Sequence, residues 1–118
     1  MNVVVLRGRL TSASARRTLR SGAELVSLEI TTPTASGQIS VPVAWFEPPA
    51  DFDPAVGEEL VVRGTVRRRF FRTATGTQSR TEVVAEEVVP IARRRQITKL
   101  MATATGQLGE PATPALNG

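Results

Sequence analysis

Neither cysteine nor histidine occurs among the 118 residues, tyrosine is also missing, and Lys99 is the sole lysine. Without thiols or imidazoles there is no disulfide, no thiolate nucleophile, no zinc-thiolate cluster and no histidine base. Only carboxylates, hydroxyls and one amine remain for chemistry. An enzyme is therefore not expected, and neither a cofactor nor a metal is. No apolar run approaches the roughly 20 residues of a membrane span. The opening MNVVVLRGRL lacks the basic flank, apolar stretch and small-residue cleavage site of a secretory leader. A cytoplasmic protein with room for one modest core is the expectation.

Aromatic residues are scarce, with one Trp and four Phe, so the core must come mainly from valine, leucine and isoleucine. β-Branched residues pack well on a pleated surface, and this points to strands. The alternation agrees. Asn2 to Leu10 sets Val4, Leu6, Gly8 and Leu10 against Val3, Val5, Arg7 and Arg9, a first strand with one apolar face. A short extended piece covers Arg16 to Arg20, and Glu24 to Thr32 alternates again. After a turn cluster at Pro33 to Gly37, Gln38 to Phe46 places Ile39, Val41, Val43 and Trp45 on one face and Ser40, Pro42, Ala44 and Phe46 on the other. Pro42 suggests an edge or a bulge.

Glu47 to Gly57 carries three prolines and two aspartates and reads as a loop with at most one helical turn. Glu59 to Arg72 is the longest strand-like run, and Arg80 to Pro90 pairs with it across a turn centred on Ala74 to Thr77. Five strands with these connections predict an all-β chain, a five-stranded OB-fold Greek-key barrel over residues 1–92. Residues 93–118, basic and then rich in Ala, Thr, Pro and Gly, are expected to form a largely irregular tail, weakly ordered from Thr103 onward. Within it, Gln96 to Met101 reads as a short helix or an added strand covering a barrel edge.

Charge is segregated along the chain. Met1 to Arg20 holds five Arg and no acid, Ser21 to Val62 seven acids and no base, and Arg63 to Arg80 six Arg and no acid. Such blocks can fold into one basic face, or they can compensate one another on a solvated surface. Fourteen of the fifteen bases are Arg, whose planar fork suits phosphates and base planes. If Ile39, Val41 and Val43 fill the core, Phe46 faces outward and Trp45 inward, while Phe52 caps the barrel bottom. Along Glu59 to Arg72 one face presents Arg63, Arg67, Arg69 and Phe71, an aromatic beside several guanidinium groups, which is what a flexible polyanion with stackable bases requires. Phe70 inclines toward the barrel end and Phe71 toward the outside; both are candidate stacking residues.

The run VVLRGRL, Arg17, Gly22, VPVAWF and GEELVVRGTVRRRFFRTATGTQSRTEVV resembles the bacterial single-stranded DNA-binding protein family over Asn2 to Val89. The resemblance implies that Phe46 and Phe71 stack bases. With the residue pattern, it sets the candidate contacts as Phe46, Phe70 and Phe71 with Arg7, Arg9, Arg17, Arg63, Arg67, Arg69, Arg72 and Arg80. Single-stranded DNA is the implied partner, with RNA as the alternative. The setting that the resemblance implies is DNA replication, repair or recombination at the nucleoid. Self-association to a dimer or tetramer is expected, with Val3 to Leu6 as the candidate interface. The sequence departs from the family pattern at Ser40, where a second aromatic is expected, and in the shortened Pro33 to Gly37 loop. It ends PATPALNG instead of in an acidic, Phe-terminated tip, so recruitment through such a tip is not expected. A second reading makes the chain a tailless protein-interaction subunit of a primosomal, replication-restart type. A third, enzymatic reading would rest on Asp51, Asp53, Glu58 and Glu59 as metal ligands.

Overall fold

The computed structural model describes residues 1–110. Its elements are β1 (Val4–Leu10), β2 (Ala15–Thr18), β3 (Glu24–Thr34), β4 (Gly37–Phe46), β5 (Glu59–Thr73), β6 (Gly76–Pro90) and α1 (Arg94–Leu108). The strands form one sheet in the order β1-β5-β6-β4-β3-β2, and an added β1–β3 pairing closes it into a ring. β1 and β2 occupy successive stretches of one edge of β3, with Leu10 opposite Ile30 and Thr18 opposite Glu24. β2, expected only as a short extended piece, is thus a sixth strand. All neighbours are antiparallel except β4 and β6, which run parallel from Val43↔Val83 to Trp45↔Ala85. Pro42 lies just before that parallel stretch, so its missing N–H removes no bond to β6.

Two hairpins share one turn. Thr34-Ala35-Ser36-Gly37 joins β3 to β4, and Thr73-Ala74-Thr75-Gly76 joins β5 to β6. In each, the first Thr hydroxyl donates to the Gly carbonyl, at 2.6 Å for Thr34 and 3.0 Å for Thr73. The Gly then takes a positive φ, 127° at Gly37 and 132° at Gly76, which a β-carbon would strain.

The ring encloses Leu10, Val26, Leu28, Ile30, Val43, Trp45, Leu60, Val62, Val83, Ala85 and Val88. Trp45 points inward and meets Phe52 edge-on, centroids 4.8 Å apart, so the proline-rich loop closes that end of the barrel. Strands cross most tightly at Gly64, where an added β-carbon would run into the Val84 carbonyl. A Gly64→Ala variant should lose about 1–3 kcal/mol of stability through this overpacking. The check is a lower denaturant midpoint at unchanged m-value.

A bulge at Arg63/Gly64 changes what β6 presents. Gly64 pairs with Ala85 but Arg63 pairs with Glu87, leaving Glu86 as the extra residue. Alternation is shifted by one from there on. Val83, Ala85 and Val88 therefore all point into the barrel, while Val89 points out and joins Val61 beneath α1.

That helix corrects the expectation for the C-terminal region. Residues 94–108 are one continuous helix, not an irregular tail, and Thr103 to Leu108 lie in its last turns. Ile97 and Leu100 cover the outer face of β5 and β6, where a sheet edge was expected, and Met101 stays exposed. Residues 111–118 of the expected weakly ordered tail lie outside the described residues. No helix among the described residues is long and apolar enough to cross a membrane.

Candidate nucleic-acid interface

Outward-facing residues of β4 make the floor of a groove of about 430 Å³. Pro42, Ala44 and Phe46 lie along it, with Ala15 and Arg17 of β2 and Leu25, Ser27 and Glu29 of β3 on one side. The other side is the β5–β6 ladder, with Arg67, Arg69, Arg80 and Glu82. Phe46 is held in place at its C-terminal side. Glu47 adopts a left-handed φ of 55°, its N–H donates to the Glu24 carbonyl at 2.8 Å, and its carboxylate accepts from the Glu24 N–H at 3.0 Å. These bonds end β4 immediately after the aromatic ring.

Each outward ring on this side carries a guanidinium. The Arg67 group lies 5.4 Å from the Phe46 centroid, and the Arg69 group 5.7 Å from that of Phe71. Phe71 follows Arg69 on the same face of β5, just beyond the groove. Glu82 organises both arginines. Its side chain is buried and receives Arg67 Nη2 at 3.3 Å and Arg69 Nε at 3.2 Å. Arg80 stands directly opposite Arg69, a like-charge cross-strand pair that is unfavourable by itself, and it turns to Glu29 at 3.3 Å. Four arginines thus face two glutamates, and the groove keeps a positive excess.

The other candidate arginines are dispersed. Arg63 must be withdrawn from the contact set. It is buried under α1, with Nε 2.9 Å from Glu87, Nη1 2.9 Å from Glu86, and Nη1 donating to Gln107 at 3.3 Å. Burial pulls its pKa down, but the bonds to Glu87 and Glu86 outweigh it and hold the group above its ordinary value. Arg7 and Arg9 project from β1 into a separate hollow of about 590 Å³ bordered by Thr31, Pro33 and Gln38. Arg9 donates to the Gly57 carbonyl at 3.1 Å, and Arg7 pairs with Glu59 at 2.9 Å. The hydrogen bond from Arg7 lowers the Glu59 pKa, so this pair's contribution is present at neutral pH and fades as pH falls through that lowered value.

Phe70 does not plug the barrel end. It is 67% exposed, against 36% for Phe71, because both lie on a part of β5 that projects past the ring. Arg72 is exposed on the same projection, opposite Thr77.

A third hollow, of about 850 Å³, lies on the far side of Phe46 and has the opposite sign. Glu47, Asp51, Asp53, Glu58, Glu86 and Glu87 line it, with Arg93 as its one cation among the described residues. Phe46 therefore stands on the ridge between a basic and an acidic surface. Asp51, Asp53, Glu58 and Glu59 do not gather as metal ligands, since no group of three such residues does so among the described residues.

No protein-family model matches the chain, and no curated protein matches it.

Glu82 lines the groove and escaped sequence reasoning. Glu82 is legible in retrospect, because a two-residue Ala74-Thr75 turn fixes the hairpin register and sets Arg67 opposite Glu82. Arg68 lies outside the groove, on the face of β5 that reads as the core face but is so only as far as Gly64.

Proposed function

We propose that the protein binds single-stranded nucleic acid, with little sequence preference, along the groove between β2–β3–β4 and the β5–β6 ladder. The carrying observation is the pair of ring–guanidinium stacks, Phe46 with Arg67 and Phe71 with Arg69, in succession on one outer face. A base stacks on an open ring face or on a guanidinium plane with no regard to its identity, and arginines meet the phosphates. The acidic hollow beyond Phe46 repels a phosphate backbone and directs it toward the β5–β6 side. The ring order, with its parallel β4–β6 pair, supports reading the barrel as an OB-type fold of the kind the sequence resemblance implies. DNA handled in replication, repair or recombination is the substrate this reading favours, with RNA the alternative.

Oligo-dT titrated at several salt concentrations tests the reading. Releasing about 0.7 counterion per neutralised phosphate, up to four groove arginines should give a log–log slope of roughly −2 to −3. Affinity that stays flat with salt, or no binding, overturns the proposal.

The carboxylates that already engage Arg67, Arg69 and Arg80 favour a second reading, a protein-docking subunit. An Arg69→Ala/Phe71→Ala variant that loses no oligo-dT affinity yet loses a specific protein partner would decide for it.

The edge of β1 supports self-association as part of this reading. Among the described residues Val4 to Arg7 pair with β5 on one side only, whereas Gly8 lies against the Thr31 backbone and Arg9 and Leu10 pair with β3, and Val5 is 40% exposed beside this open edge. Strand addition by a second copy would satisfy the free backbone groups. Val5→Lys should shift sedimentation toward the monomer; an unchanged oligomer would place the contact elsewhere.

A further inference from the structure

Beyond the barrel, β5 and β6 continue as a two-stranded arm. β1 leaves β5 after Gly64, β4 meets β6 only from Val83 to Ala85, and between Val66 and Thr81 the two strands pair with nothing but each other among the described residues. Asn2 marks the start of the arm: its side-chain amide donates to the Val66 carbonyl at 2.8 Å and accepts from the Val66 N–H at 2.9 Å. From Arg68 and Thr81 outward both faces meet solvent.

Alternation gives the two faces similar contents. One carries Arg69 and Phe71 and continues into the groove; the other carries Arg68, Phe70 and Arg72. The second is the less neutralised. Arg69 and Arg80 have carboxylate partners on the groove side, whereas neither Arg68 nor Arg72 has one among the described residues. Phe70, between them, is the more exposed ring of the two. An exposed Phe ring between two arginines without carboxylate partners among the described residues offers a stacking surface and two free guanidinium groups together, the combination that a polyanion with stackable bases fits.

We infer that the arm binds single-stranded nucleic acid on both faces, Arg68, Phe70 and Arg72 forming a second contact set back to back with Arg69 and Phe71. This rests on the function proposed above and adds an activity to it. Two single-stranded segments are held on opposite sides of one sheet, so the protein bridges them, either as separate strands or as one strand doubled around the uncharged Ala74-Thr75 tip.

The number of short oligonucleotides bound per chain tests this. With oligo-dT of roughly 8 nucleotides, within the ~4–16 that one such barrel covers, the full chain should bind two per chain. Arg68→Ser/Phe70→Ser should bind one, as should Arg69→Ser/Phe71→Ser. Arg68→Gln/Arg72→Gln, which keeps both rings, should weaken the second site and serves if the first variant fails to fold. Energy transfer between two separately labelled short oligonucleotides reports bridging of two strands. Transfer between the ends of one long labelled oligonucleotide reports doubling of one; either supports the second face where Arg68→Ser/Phe70→Ser abolishes it, and transfer that this variant retains comes from groove-bound strands on associated copies and counts against the second face. One short oligonucleotide per chain in the wild type, with Arg68→Ser/Phe70→Ser unchanged, overturns the second face and leaves the groove standing. No oligonucleotide bound at all overturns the underlying function instead.

Discussion

A Phe46→Ala/Phe71→Ala variant should bind oligo-dT roughly 100- to 1,000-fold more weakly than the wild type at the groove. Each stacked base contributes about 1–3 kcal/mol by alanine substitution, so two lost platforms remove about 2–6 kcal/mol, the middle of which gives that factor. Removing either ring also leaves a guanidinium, Arg67 or Arg69, without the surface it rests on. The fold should tolerate the change, because Phe71 projects past the barrel and Phe46 lies on its outer surface, opposite the Trp45 side. Fluorescence anisotropy at fixed salt measures the loss, and the remaining affinity should be steeply salt-dependent because the arginines stay. A change of less than about fivefold would mean that neither ring stacks a base and that charge alone carries binding.

For stability, the largest loss is expected at Leu100. The start of α1 is poorly made as an isolated helix: Arg93 provides no side-chain cap, no acid stands in the first turn, and Arg94 and Arg95 sit at the positive end of the helix dipole. Its position depends on packing. Leu100 is fully buried and meets Val61 and Val89 on the outer face of β5 and β6, with Ile91 and Ile97 at the margin. Leu100→Ala should therefore cost about 2–5 kcal/mol, read as a lower midpoint in thermal or denaturant unfolding. The seat of Arg63 loosens with it, since Gln107 near the end of the helix is one of its three partners. Oligo-dT affinity, measured well below the melting temperature, should stay close to wild type, because the groove residues belong to other parts of the barrel. An unchanged midpoint would show that α1 adds nothing to the barrel.

Much of the barrel was legible in the residues themselves. Period-two alternation placed five strands and put Trp45 inside and Phe46 outside, because successive side chains in a strand point to opposite faces whatever the surroundings. The Thr-Ala-Ser-Gly and Thr-Ala-Thr-Gly turns encode their hairpins locally, through a hydroxyl bond and a glycine at positive φ. Parity alone also placed Arg67, Arg69 and Phe71 on a common face.

Everything that depends on where an element ends relative to its neighbours required the tertiary structure. Phe70 has core parity, yet the core stops at Gly64, and only the lengths of β1 and β4 determine that. Arg63 shares a face with Arg67, but the bulge at Glu86 and the helix above bring three partners to it and remove it from any ligand. The helix itself was obscured by Thr98, Thr103, Thr105 and Gly106, of weak intrinsic helix preference, and it forms because Leu100 finds Val61 beside Val89, which that same bulge turns outward. Local chemistry fixes what a residue can do and which way it points; long-range pairing and burial fix which of the arginines are left free to do it.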